Sequence, residues 1–135
     1  MDSTTATLIG AIVVMVIFSA YFSATETAFS SLNKIRLRSK AEAGDTRAAL
    51  TLSIANEYDR MLSTILIGNN IVNITASTLG TVLFTRLFDA YGPTISTVVL
   101  TVVVLIFGEI SPKSIAKESP ERIAMWASPL LRVLL

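Results

Sequence analysis

The side chains with chemistry to offer are few and stand out against an apolar background. Phe107-Gly108-Glu109-Ile110-Ser111-Pro112-Lys113 sets a carboxylate between a glycine and a proline at the end of an apolar stretch. Pro112 has no N–H to give to the carbonyl of residue 108, and Gly108 accepts a distorted backbone. The pattern therefore predicts a helix break with a freed Gly108 carbonyl beside Glu109. Burying a carboxylate at membrane depth costs on the order of 3 kcal/mol on insertion scales, and a bound cation would offset that cost. The competing reading is an i, i+4 ion pair between Glu109 and Lys113 at the membrane interface. It leaves the flanking glycine and proline unaccounted for.

A second cluster is Gly68-Asn69-Asn70-Ile71-Val72-Asn73. Amides buried in an apolar helix are costly unless each finds a partner. Asn69 and Asn73 share a helix face, which Ser77 extends, while Asn70 is turned by about 100°. Interhelical glue, worth about 1 kcal/mol or less, would need only one amide. A cluster beside Gly68, where another backbone can approach, points also to ligand oxygens. In the first apolar stretch Ser19 and Ser23 stand four apart, with Thr27 continuing the stripe and Glu26 about one turn beyond Ser23. Hydroxyls in such helices more often bond to the preceding turn, and Glu26 reads best as an interfacial acid paired with a nearby Lys or Arg.

If these faces converge, they offer Ser19 and Ser23 hydroxyls, the Asn69, Asn70 or Asn73 carbonyls, the Gly108 carbonyl and the Glu109 carboxylate. All are hard oxygen donors, suited to Mg²⁺, Ca²⁺, Na⁺ or Mn²⁺ rather than zinc or copper. The chain has no cysteine and no histidine, which excludes disulfides, thiolate or imidazole metal sites and Ser/His or Cys nucleophiles. Without these groups or an aspartate pair at membrane depth, we expect no enzyme. Eleven Lys+Arg against ten Asp+Glu leave no basic excess for a nucleic acid.

The elements that must position these groups are membrane helices. Of 135 residues, 52% are hydrophobic and 16% charged, and the mean hydropathy of +0.64 is too high for an ordinary soluble domain. Three apolar stretches have spanning length, at about 8–32, 61–88 and 95–110. The segment 33–60 carries Lys34, Arg36, Arg38, Lys40, Arg47 and Arg60. The positive-inside rule then puts it and the C-terminus in the cytosol, with the N-terminus outside. Its apolar spacing, interrupted at Gly44-Asp45, predicts an amphipathic helical hairpin on the membrane face. A juxtamembrane helix is expected over about 114–135. The fold class is thus an all-α membrane protein in a single domain, 1–135. No internal repeat is visible, so a complete pathway would call for a dimer. The chain stops inside the apolar run Val133-Leu134-Leu135, and we expect it to be a fragment.

The stretch Phe18-Ser19-Ala20-Tyr21-Phe22-Ser23-Ala24-Thr25-Glu26-Thr27-Ala28-Phe29, then Arg36, then Ile67-Gly68-Asn69-Asn70-Ile71-Val72-Asn73, then Phe107-Gly108-Glu109-Ile110-Ser111-Pro112-Lys113 resembles the transmembrane domain of the CNNM/CorC magnesium transporters. The resemblance runs over essentially the whole chain. It implies a homodimer in the plasma (inner) membrane that exports Mg²⁺, driven by Na⁺ as counter-ion, from an inward-facing polar cavity. Carried over, Ser19, Ser23, Asn69, Asn70, Asn73, Gly108 and Glu109 match the family's ion-binding positions, and Pro112 its helix-breaking position. The family's nucleotide-binding regulatory modules are expected in a full-length chain only. The alternative is a membrane anchor and dimerisation module for such a cytosolic domain, with the polar residues serving as packing.

Overall fold

The structure, a computed structural model, describes residues 3–135. Every regular element among the described residues is helical: α1 (Ser3–Ser30), α2 (Lys34–Glu42), α3 (Thr46–Ala55), α4 (Tyr58–Phe88), a 3₁₀ turn (Asp89–Tyr91), α5 (Gly92–Val103), a π-helical segment (Val104–Ile110), α6 (Ser111–Glu118) and α7 (Pro120–Leu134). Two stretches are long and apolar enough to cross a membrane, Ser3–Ser30 and the continuous helical run Tyr58–Glu118. Only 28% and 17% of their most apolar windows are buried, so neither is the core helix of a water-soluble fold. Ile17, Ile67, Ile71, Ile74, Val98 and Phe107 are each more than half exposed, as acyl chains require and water forbids.

The long run folds back on itself. Asp89, with φ 53°, turns the chain at the end of α4, and α5 returns antiparallel along it. Gly92 lies against the backbone of Thr85, and Gly80 against Leu100 and Ser96. Buried positions along the returning arm are Gly92, Ser96, Leu100, Gly108, Pro112 and Ala116.

Between α1 and α4 the chain makes two short helices. Gly44, at φ 103°, closes α2 with bonds from Gly44 N–H to the Ala41 carbonyl and from Asp45 N–H to that of Lys40, both 3.1 Å. This left-handed closure needs a residue without Cβ. Asp45 then opens α3 by accepting from the N–H groups of Arg47 and Ala48 at 3.0 and 3.1 Å.

Two apolar clusters hold the bundle. The larger gathers Phe22 and Phe29 of α1, Ile54 of α3, Met61 and Ile65 of α4, and Ala124, Ala127 and Leu131 of α7. The smaller joins Ile12, Leu83 and Leu100. Along their helices, Ser19 of α1 and Asn73 of α4 lie between the two. Met61 and Ile65 are both fully enclosed, and between helices in lipid they contribute by close packing rather than by removing area from water.

The Pro112 expectation is corrected here: the helix does not break there. It widens into the π segment, in which Ser111 N–H bonds to the Ile106 carbonyl five residues back, and this wider turn takes up the missing donor and the ring's bulk. The break comes instead at Ser119, at φ −138° and ψ 67°, because the ring of Pro120 drives the preceding residue out of the helical region. The expected juxtamembrane helix at 114–135 is therefore two helices, α6 and α7.

α7 is fastened to its neighbours by buried polar contacts. The Tyr21 hydroxyl donates to the Ala127 carbonyl at 2.7 Å, and the Thr51 and Ser128 hydroxyls meet at 2.7 Å. At the rim Arg132 donates to Ser53 Oγ at 2.6 Å and pairs with Glu57 at 3.3 Å. Tyr21→Phe keeps the ring and removes the donor, so it should lower the unfolding free energy in detergent by about 1 kcal/mol. An unchanged unfolding midpoint would show that the hydroxyl contributes nothing.

Candidate cation site between three helices

Ser19 is the centre of the polar level. It is 1% exposed, held in α1 between the two apolar clusters, and it meets a different helix on each side. Its hydroxyl donates to Asn69 Oδ1 of α4 at 3.3 Å, long for a bond between two oxygens. Across from α4, the π segment brings Gly108 so close that a Cβ there would lie 3.0 Å from Ser19 Oγ. A second glycine closes the α1–α4 contact: a Cβ on Gly68 would lie 2.7 Å from the tip of the Phe22 ring. Two positions without side chains thus let α1 sit deep between α4 and the returning arm.

One turn along α4 from Asn69, the Oδ1 of Asn73 is buried and has no hydrogen-bond partner. An unpaired buried carbonyl oxygen costs on the order of 1–3 kcal/mol, and a cation or water would satisfy it. Asn73 lines a cleft of about 310 Å³ between α4 and the returning arm, and Glu109 lines the same cleft. Glu109 and Lys113 form no ion pair among the described residues, so the interfacial pairing considered from spacing is absent.

The residues singled out by sequence are therefore not all alike. Ser19, Asn69 and Gly108 come together, and Asn73 and Glu109 share the adjoining cleft. Ser23 is buried on the same helix one turn away but makes no hydrogen bond to the others. Asn70 is exposed on another face and joins neither group. Glu26 forms no ion pair with a Lys or Arg among the described residues. No cluster of three or more Asp or Glu exists among the described residues, so the donors are one carboxylate and neutral oxygens. Such a set suits a hard cation held loosely enough to leave again. The sequence reading missed Thr81 and Thr97, which line the cleft further along; Thr81 continues the Asn73, Ser77 spacing and could have been found by extending it one turn.

Residues 10–135 match the family described as the Cyclin M transmembrane N-terminal domain. The chain belongs to this family. It is 47% identical over 116 residues to the UPF0053 inner membrane protein YfjD of Escherichia coli strain K12, covering 86% of this chain and 27% of that protein. It is 42% identical over 129 residues to a UPF0053 protein of Haemophilus influenzae, covering 96% of this chain and 31% of that one. A further Haemophilus influenzae relative, 29% identical over 128 residues and with 30% of its length covered, is named polyamine export protein. The chain spans less than a third of the length of these cyclin M relatives. Family and apolar helices together make it a membrane domain.

Proposed function

We propose that this chain is the transmembrane domain of a secondary transporter, not an enzyme, that exports Mg²⁺ across the plasma (inner) membrane with Na⁺ influx as the driving force. The observation that carries the reading is the meeting of Ser19, Asn69 and Gly108 beside a cleft that holds an unpaired Asn73 oxygen and the Glu109 carboxylate. Three crossings follow in this reading: α1, α4, and α5 with its π segment. The basic residues of α2 and α3 then lie in the cytosol with the C-terminus, and the N-terminus lies outside. A homodimer supplies the helices one copy lacks. Mg²⁺ is the cargo, and Ser19, Asn69, Asn73, Gly108 and Glu109 are the residues that would contact it.

The relative named as a polyamine exporter favours a cationic cargo in general. A polyamine carries several ammonium groups along its length, whereas the cleft offers a single carboxylate, so the donor set favours a compact ion.

The test is the thermal stability of the full-length protein in detergent, titrated with Mg²⁺, Ca²⁺, Mn²⁺, Na⁺ and spermidine, for the parent and Glu109→Gln. A ligand that binds only the folded state stabilises it by about 2.7 kcal/mol at a hundred times its Kd. A saturable Mg²⁺ shift that the substitution removes is the expected result. A shift left intact in Glu109→Gln would sink the assignment of the site to Glu109, and no shift with any ion would return the chain to the anchor and dimerisation reading. A shift with spermidine alone would make the cargo organic.

A further inference from the structure

The cleft between α4 and the returning arm does not end at the proposed binding level. From Asn73 and Glu109 it continues past Ser77 to Thr81 and Thr97, and the eight residues from Asn73 to Thr81 correspond to about 12 Å of helix. Its direction is toward the Asp89–Tyr91 turn, the end opposite α2 and α3.

Three hydroxyls of the lining are committed as donors to their own helices. The Ser77 hydroxyl donates to the Asn73 carbonyl at 3.0 Å, that of Thr81 to the Ser77 carbonyl at 3.0 Å, and that of Thr97 to the Pro93 carbonyl at 2.9 Å. Each hydroxyl has one proton and has given it to its own helix one turn back. What each turns outward is lone pairs. Together with the unpaired Asn73 Oδ1 and the Glu109 carboxylate, these hydroxyl oxygens set acceptors along the cleft, beside the Ser96 and Thr101 hydroxyls and the Asn73 amide N–H groups, which keep their protons to donate. The one formal charge in the lining is that of Glu109, so the cleft favours a cation with its water over an anion. Its volume admits an ion that keeps part of its hydration shell, which matters for Mg²⁺ because it dehydrates reluctantly.

We propose that this hydroxyl-lined cleft is the outward half of the ion path, carrying a partly hydrated divalent cation from Asn73 and Glu109 toward the α4–α5 turn. The inference rests on the transport reading above and adds the route and the residues that shape it. Thr81 and Thr97 act as way stations that replace lost water oxygens, and neither belongs to the Ser19 cluster.

The experiment uses the full-length protein in two assays: Mg²⁺ flux through proteoliposomes of phosphatidylethanolamine and phosphatidylglycerol, read with an Mg²⁺-sensitive dye, and the Mg²⁺-dependent thermal shift. In the double variant Thr81→Val with Thr97→Val, flux should fall at least fivefold while the shift persists. In Thr81→Ser with Thr97→Ser, which keeps both oxygens, flux should stay within twofold of the parent. Unchanged flux in the valine pair, an equal loss in the serine pair, or loss of the thermal shift along with flux would each overturn the proposal. If the parent protein itself shows neither Mg²⁺ flux nor an Mg²⁺-dependent shift, the transport reading itself fails, whatever the threonine variants do.

Discussion

Gly92→Ala should be the most destabilising single methyl in the chain. A Cβ at this position falls on the Cα and N of Thr85 and within 2.7 Å of the Phe84 carbonyl carbon. These are backbone atoms of the facing helix and cannot rotate aside as a side chain would. The backbone of Gly92 is ordinary right-handed helix, φ −52° and ψ −52°, so conformational freedom is not at issue. The two arms of the hairpin would have to separate where α5 begins, undoing the Gly80 contact with Leu100 further along. Overpacking of this kind costs about 3 kcal/mol. Unfolding of purified protein in detergent would measure it, with Gly10→Ala as the control, since nothing lies within 4 Å of a Cβ at Gly10. Helix propensity alone predicts that both changes stabilise by up to about 1 kcal/mol. Equal behaviour of the two variants would therefore refute the close approach at Gly92.

The second large effect concerns the site. Gly108→Ala places a methyl 3.0 Å from Ser19 Oγ and 3.4 Å from Ser19 Cβ. Ser19 is enclosed, and its bond to Asn69 is already 3.3 Å long. A shift of a few tenths of an ångström is enough to break that bond and move the hydroxyl from where a cation would meet it. Mg²⁺ affinity should fall at least tenfold, about 1.4 kcal/mol, while stability without the ion changes by less. The midpoint of the Mg²⁺ thermal titration reads the first quantity, and the melting temperature without ion reads the second. Unchanged affinity with intact folding would remove Ser19 and Gly108 from the binding level.

Much of this arrangement was legible from residue types. The apolar stretches, the interruption at Gly44-Asp45 and the polar stripe of Asn69 and Asn73 follow from local rules of periodicity and capping. They need no knowledge of what packs against what. The proximity of Ser19 to Gly108 is different: they are distant in sequence, and residue types could group them only on the condition that the faces converge. Asn70 falls on an exposed face: periodicity says which residues share a face but not which face a neighbour covers. Pro112 misled because a missing donor has two remedies, a break or a wider turn, and neighbouring helices decide between them. Ser119, just before Pro120, carried the stronger breaking signal and was passed over. The Tyr21 bond to the Ala127 carbonyl had no sequence signal, since any carbonyl can accept.

The buried positions of the returning arm, Ser96, Leu100, Gly108, Pro112 and Ala116, are spaced in multiples of four. A step of four residues overshoots one α-helical turn by about 40°, so the stripe they form does not run straight but precesses around the helix. At Ser96 and Leu100 it looks toward Gly80 of α4, and by Gly108 it looks toward Ser19 of α1. The extra residue held in the π segment slows the precession where the change of partner occurs. One continuous helix therefore serves two neighbours in succession. Any rotation that improves its fit to one of them is felt, a few turns away, as a mismatch with the other.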